Sequence, residues 1–465
     1  MSLRKTRMSR PTRSLAVAAA MAATVVAIPT ATPAYAASVP CNDAQLVSAV
    51  AGVANTGGTL SLAPGCTYTL TTAQTDQDGL APITAAVTIQ GNGATITRSS
   101  TDPFRIFDVN GGSLTLSNLT VDNGSVTGLS EFGGGILVRN AGTLRGSSVT
   151  LTDNSSERNG GGLTAFQNST VVLTNSLVTG NHALFGGGVN SLSGSLTMSG
   201  TTVRDNTAGF EGGGLEVDGT ATFTGVTITG NTVTGVEGGG GMYIGGGTLT
   251  LQSSTVSDNE STNGSGLGGG IELDTGSLIS RSSRITDNTS AGPGGGVSGD
   301  DAGNQATFSS TVISGNTAET GGGVYNEDGV MSLTSGAVTG NTAVDAGAGL
   351  FNTGQLTLSR VSVSQNILTG AAGTGAAIFN SGTLGITGAS ILANRATGAG
   401  SVSGGLYNDG GAVTLSGSSI SGNSSLAAPG GIYTTTPFSA AGSSVSGNQP
   451  TNCAGSPVIP TGCVN

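Results

Sequence analysis

A Gly-Gly-Gly-apolar element, degenerate in places, returns about every 26 residues from Gly135 to Gly431. Between successive marks lie two more elements, of the type Gly-Thr-Leu-Thr-Leu at 247–251 and Ser-Thr-Val-Ser-Asp-Asn at 254–259. Each alternates apolar and polar residues over four to six positions, the period of a strand. A unit this short cannot bury a core alone, so copies must stack. Three strands turned at Gly or Asn corners make one triangular coil, and stacked coils pair their strands in parallel. The expected fold class is all-β: a single-stranded right-handed parallel β-helix of about 12 or more coils. Glycine at 82 of 465 residues and the lack of Trp would suggest a fibrous or disordered chain. The regular order of the residues excludes that.

The interior can be read in columns. Directly after the glycines stand Ile136, Leu163, Val189, Leu215, Met242, Ile271, Val297, Val324, Leu350, Ile378, Leu406 and Ile432. A second buried column is expected at Val203, Ile228, Val256, Ile285, Ile313 and Val338, each three residues before an asparagine. Those asparagines, from Asn154 to Asn448, should form a ladder of side-chain amides at one corner. Asn also tolerates the left-handed backbone that a corner needs.

At the N-terminus, Arg4, Lys5, Arg7, Arg10 and Arg13 precede an apolar run from Leu15 to Ile28, and Ala34-Tyr35-Ala36 supplies a small-x-small cleavage pattern. This predicts a signal peptide over 1–36, not a membrane span. It is followed by a cap and first coils over 37–132, repeated coils over 133–452 and a tail over 453–465. Asn42-Asp43 predicts a short capping helix with Leu46, Val47 and Val50 on one face. Losing the five basic residues of the signal leaves ten arginines against 26 acids, a net charge of −16. Such a surface repels nucleic acid and attracts cations. Export to an oxidising compartment and closeness in sequence favour Cys41 with Cys66 and Cys453 with Cys463, of three formal connectivities.

The Gly-Gly-Gly-Val and Ser-Gly-Asn-Thr repeats, as at 321–324 and 314–317, resemble those of the pectin-lyase-like superfamily of right-handed β-helices. They are similar in particular to polymorphic membrane proteins and other secreted bacterial β-helix proteins. The regular Phe-x-x-Asn element and the outer-membrane barrel of polymorphic membrane proteins are not found. The resemblance implies polysaccharide chemistry on a sheet face, by carboxylates in hydrolases or by calcium with a basic residue in lyases.

Function is sought where the repeat breaks its own rule. After the glycines, the second and fourth residues are expected to face solvent. The second-position column carries Glu216, Tyr243, Glu272, Tyr325, Phe351, Phe379, Tyr407 and Tyr433, and the fourth carries Asp218, Asp274, Asp300 and Glu327. With coils about 4.8 Å apart, Asp274, Asp300 and Glu327 would stand on consecutive rungs, a trio suited to a calcium ion. Glu216 and Glu272, roughly 9.6 Å apart over two rungs, lie near the upper range for the acid and base of inverting glycoside hydrolysis. Asp274, Asp300 and Glu327 are the further catalytic candidates. Tyr243, Tyr325, Phe351, Phe379 and Tyr407 are candidates for ligand contact, as an apolar stripe of the kind sugar rings stack on. The equal alternatives are a solvated acidic face that keeps the solenoid soluble and aromatic packing that stiffens an exposed sheet.

Three function classes follow. The first is non-catalytic, adhesin-like recognition of an extracellular glycan or cell-envelope polymer by a secreted protein. The second is a polysaccharide hydrolase. The third, ice or mineral binding, rests on Thr197, Thr222, Thr250, Thr307 and Thr357 as an outward column.

Overall fold

The computed structural model describes residues 36–128 and 130–465, so the expected signal peptide lies outside the described residues. Through the middle of the solenoid each coil is made of four short strands. In one coil these are Met242–Ile244, Thr248–Gln252, Thr255–Ser257 and Glu260–Ser261. Each pairs in parallel with its equivalent one coil on, as Met242 with Ile271, Thr248 with Ser277, Thr255 with Arg284 and Glu260 with Thr289. The strands that follow the glycines form a 13-stranded sheet, here sheet 1. Sheet 2 has 27 strands and sheet 3 has 11.

The coil has three faces, but not the three expected segments as its sides. The second and third segments share sheet 2, parted only by a bend at a left-handed residue such as Ser253 or Ser282, with φ 49° at each. In the first coils single strands run straight through this bend: Ala86–Arg98, Ser113–Asp122 and Thr143–Thr152. The third face comes from strands just past the asparagines. Several, such as Glu260–Ser261, are two residues long, too short for alternation to reveal them.

Both interior columns are fully buried, from Ile136 to Ile432 after the glycines and from Val203 to Val338 on sheet 2. The asparagine ladder is continuous. The Asn259 side chain donates to Asn288 Oδ1 at 2.9 Å and that of Asn288 to Asn316 Oδ1 at 2.9 Å, and each Oδ1 also accepts the preceding asparagine's backbone N–H. The left-handed residue is not the asparagine itself but the one before it, such as Asp258 (φ 56°), Asp287 (φ 58°) or Gly315 (φ 71°). This leaves the asparagine free to point inward, where its Nδ2 also donates to a backbone oxygen such as Val256 O at 3.1 Å.

The ends are closed. The helix Asp43–Val53 starts where Asn42 Oδ1 accepts the Gln45 N–H at 3.0 Å, and it buries Leu46 and Val50 in the core. The bridges Cys41–Cys66 and Cys453–Cys463 are both formed and suit an oxidising compartment. Among the described residues no helix is long and apolar enough to cross a membrane.

Candidate functional site

The outward positions of sheet 1 and the residues just past its strands carry the acidic and aromatic candidates, but their exposure differs from the expectation. The second-position column should be solvated, yet Thr164, Asn190, Glu216, Tyr243, Glu272 and Ser298 are all buried. Only from Tyr325 onward is it half-buried. The glycine that opens each triplet, held in the left-handed region, turns the incoming chain across the base of the side chain four residues on in both stretches, at Gly321 before Tyr325 as at Gly294 before Ser298. A Cβ on Gly186 would lie 3.0 Å from Asn190 Cβ, and one on Gly294 would lie 2.6 Å from Ser298 Cβ.

Glu216 and Glu272 are two rungs apart, as expected. Tyr243 stands between them in register, and the two carboxyls are 4% and 1% exposed. The pair therefore does not open onto a common space for a sugar. Asn190 Nδ2 donates to Glu216 Oε2 at 2.5 Å, and Tyr243 Oη donates to Asp274 Oδ2 at 3.1 Å. Burial, reinforced by Asp218 and Glu211, holds the Glu216 carboxyl well above the usual carboxylate range. Burial and then Asp300 do the same to Glu272. Glu211, which the sequence reading missed, is pushed up to about 7 by burial and then by Glu237.

Asp274 and Asp300 are half-buried and Glu327 is exposed, where it accepts from Tyr325 Oη at 3.0 Å. Among the described residues no group of three or more His, Cys, Asp or Glu side chains is placed to hold a metal ion, so this trio does not converge as a calcium site would require.

The aromatic row is present, and its rings stack face to face along the solenoid. Tyr325, Phe351, Phe379, Tyr407 and Tyr433 stack on one another with centroids 5.0, 4.7, 5.6 and 4.5 Å apart and planes within 12° of parallel. Their faces meet each other, so solvent meets edges. Tyr243 lies outside this stack, beside Glu272.

Two hollows open further toward the N-terminus. One of about 350 Å³ is lined by Phe132, Phe166, Phe185, Leu192, Arg158 and Glu216, among others. It shares Phe132 and Phe166 with a second, of about 420 Å³, bordered by Arg105 and Arg139. Phe132 meets Phe166 edge-on at 5.5 Å, and the Arg158 guanidinium lies 5.9 Å from the Phe132 ring. Beneath lies a set of ion pairs: Arg105 with Asp78 at 2.7 Å and Glu131 at 2.5 Å, and Arg139 with the fully buried Asp108 at 2.8 Å. Asp108 belongs to the same outward column, one coil before Leu137. Its register was hidden because Phe104-Arg105-Ile106 stand where the next coil has Gly133-Gly134-Gly135.

The threonine column of sheet 2 runs Thr197, Thr222 and Thr250, but Ile279 breaks it before Thr307, and Ser332 separates Thr307 from Thr357.

No curated protein matches the sequence. Among solved structures, the periplasmic alginate epimerase AlgG is similar at 12% identity, covering 81% of this chain and 84% of that one with a TM-score of 0.38. At that level the likeness carries no argument about activity. The family profile described as the right handed beta helix region matches residues 65–252 and 193–391. The chain belongs to the right-handed β-helix family.

Proposed function

We propose that this protein recognises an extracellular glycan or cell-envelope polymer, without turning it over, in the cleft on sheet 1 above the N-terminal coils. The observation that carries this reading is the run of Phe132, Phe166 and Phe185 along a cleft with Arg158 and Glu216 on its walls. Edge-to-face rings leave aromatic faces for the apolar side of a sugar, and polar groups beside them meet its hydroxyls. The stacked row from Tyr325 to Tyr433 is a stiffening element in this reading.

A glycan array on the purified protein, with and without chelator, tests it. Phe166→Ala should weaken the strongest hit by about tenfold, the worth of one lost aromatic contact. A blank array, or full binding by Phe166→Ala, rejects the cleft.

Hydrolysis is the second reading, favoured by one observation. The Glu216 carboxyl on the wall of the cleft is raised well above the usual carboxylate range by burial and then by neighbouring Asp218, the direction a general acid needs. Release of reducing ends that stops in Glu216→Gln would establish it.

A further inference from the structure

The two hollows on sheet 1 are unlike in what they offer a ligand. The larger is bordered mainly by polar side chains, among them Thr75, Asp76, Ser130, Arg139 and Gln167. In the smaller, four of the seven lining residues are Phe132, Phe166, Phe185 and Leu192. Register explains how these four come to line one space. Phe132, Asn159 and Phe185 pair in turn on three consecutive coils, just before the glycines that lead into sheet 1. Phe166 and Leu192 follow Ala165 and Ser191, which pair on adjacent coils at the far ends of the same strands. All four apolar side chains are only half-buried.

Half-covered apolar side chains on both sides of a hollow favour a ligand group that gains by leaving water. An ionised carboxylate is disfavoured there, because it would lose its hydration among rings. A plain hexose carries hydroxyls around its whole rim, which the larger hollow suits better. The smaller hollow is not wholly apolar, since its lining includes Arg158, whose guanidinium lies 5.9 Å from the Phe132 ring. An acetyl group has both parts that this place matches, a methyl for the rings and a carbonyl oxygen for a guanidinium N–H.

Resting on the glycan reading above, we propose that the smaller hollow is the subsite for an acetylated sugar, whose methyl packs among Phe132, Phe166, Phe185 and Leu192. The unsubstituted part of the chain lies in the larger hollow, which shares Phe132 and Phe166 with it. The feature read is the acetyl group itself, carried on nitrogen in an acetamido sugar or on oxygen in a sugar ester. Both hollows, at about 350 and 420 Å³, lie at the lower end of the size range of small-ligand pockets, so each suits one ring-sized unit.

Titration calorimetry with two matched pairs tests this: an N-acetylglucosamine tetramer against the glucose tetramer of the same linkage, and an O-acetylated xylose tetramer against its deacetylated form. In at least one pair the acetylated member should bind about tenfold more tightly, from the buried methyl and the carbonyl hydrogen bond together. The pair that shows the difference identifies amide or ester. Phe185→Ala and Leu192→Ala, half-buried positions at opposite ends of the strands, should each bring that ratio to within about threefold. Gln167→Ala, in the larger hollow alone, should weaken both members alike and keep the ratio. No preference in either pair overturns the acetyl assignment while leaving glycan recognition standing, and a ratio unchanged in both Phe185→Ala and Leu192→Ala overturns its placement. A uronate tetramer binding more tightly than either acetylated chain also overturns it, in favour of a cleft that reads charge. Binding of none of these chains overturns it too, and a glycan array that is also blank removes the glycan reading with it.

Discussion

Two stretches of one column on sheet 1, from Thr164 to Ser298 and from Tyr325 to Tyr433, share a backbone and a repeat but treat polar atoms in opposite ways. In the later stretch most of the column is partnered along the solenoid axis, with Asn326 Oδ1 and Ser401 Oγ as the buried oxygens left over. Outside, each ring stacks on the next. Inside, Asn326, Asn352, Asn380 and Asn408 form a second amide ladder with successive contacts of 2.7 Å. In the earlier stretch the inward positions are Ala165, Ser191, Val217, Ile244 and Leu273, and the outward ones are mixed polar groups that do not repeat. Asn159, Asn190, Glu272, Ser298 and Asp300 each leave a buried oxygen without a partner there. A repeat can satisfy itself only with identical rungs, so irregular rungs are where a solenoid can bind something else.

The comparison breaks most visibly at the inner ladder. Asn352→Ala removes an acceptor from Asn326 and a donor from Asn380 and leaves a small cavity, all at positions closed to water. The expected loss is about 2–4 kcal/mol. At the same register in the earlier stretch, Ser191 makes only a 3.5 Å contact to Gly194 O, so Ser191→Ala should cost less than about 1 kcal/mol. Urea denaturation of both variants measures the contrast. Equal losses would mean that the two stretches are not held together differently.

A second contrast is in pH. Glu211, Glu216, Asp218, Glu272 and Asp300 all have raised carboxyl affinities for protons, with burial as the largest cause in each. The folded state therefore binds more protons than the unfolded one between the ordinary carboxylate range and the raised values, about 6 for Asp300 and about 7 for Glu211. Stability contributed this way is present at low pH and is lost as pH rises through that window. Melting temperature should fall by several degrees between pH 5 and pH 8, and hydrogen exchange should place the loosening in the coils around Glu211 to Asp300. A flat profile, or loosening confined to the coils after Tyr325, would contradict this electrostatic picture.

How far the sequence could be read follows from the same contrast. The glycine period, the inner columns, the amide ladder, the capping helix and both disulfides are legible because each repeats or is local. The outward positions were legible as a face but not in their exposure. Burial of Glu272 comes from neighbouring rungs, such as Gly238 of the preceding coil against its carboxyl, and no single segment records that. Tyr325 to Tyr433 read as a row, but alternation cannot reveal whether rings lie flat or stack. Asp108 escaped because its coil has Phe104-Arg105-Ile106 in place of the glycine triplet that sets the register, whereas Arg139 and Phe166 were legible as outward positions but not as parts of a cleft. Phe132 and Phe185 each stand just before a glycine triplet, outside the columns that alternation reads.

The smallest expected effect separates packing from recognition in the aromatic row. Phe379 lies between Phe351 and Tyr407 with centroids 4.7 and 5.6 Å away, so Phe379→Leu removes two ring contacts while keeping an apolar side chain at a half-buried position. Stacked pairs contribute roughly 0.5–1.5 kcal/mol beyond burial, and the leucine still covers much of the same surface, so the net loss should be about 1 kcal/mol. Affinity for the glycan held at Phe132, Phe166 and Phe185 should stay within about twofold, since the variant does not touch the cleft. Denaturant melts and calorimetry on one preparation give both numbers. A tenfold loss of binding with no loss of stability would invert the assignment, because a ring whose faces were committed to its neighbours could be removed from a ligand's reach only by weakening the stack as well.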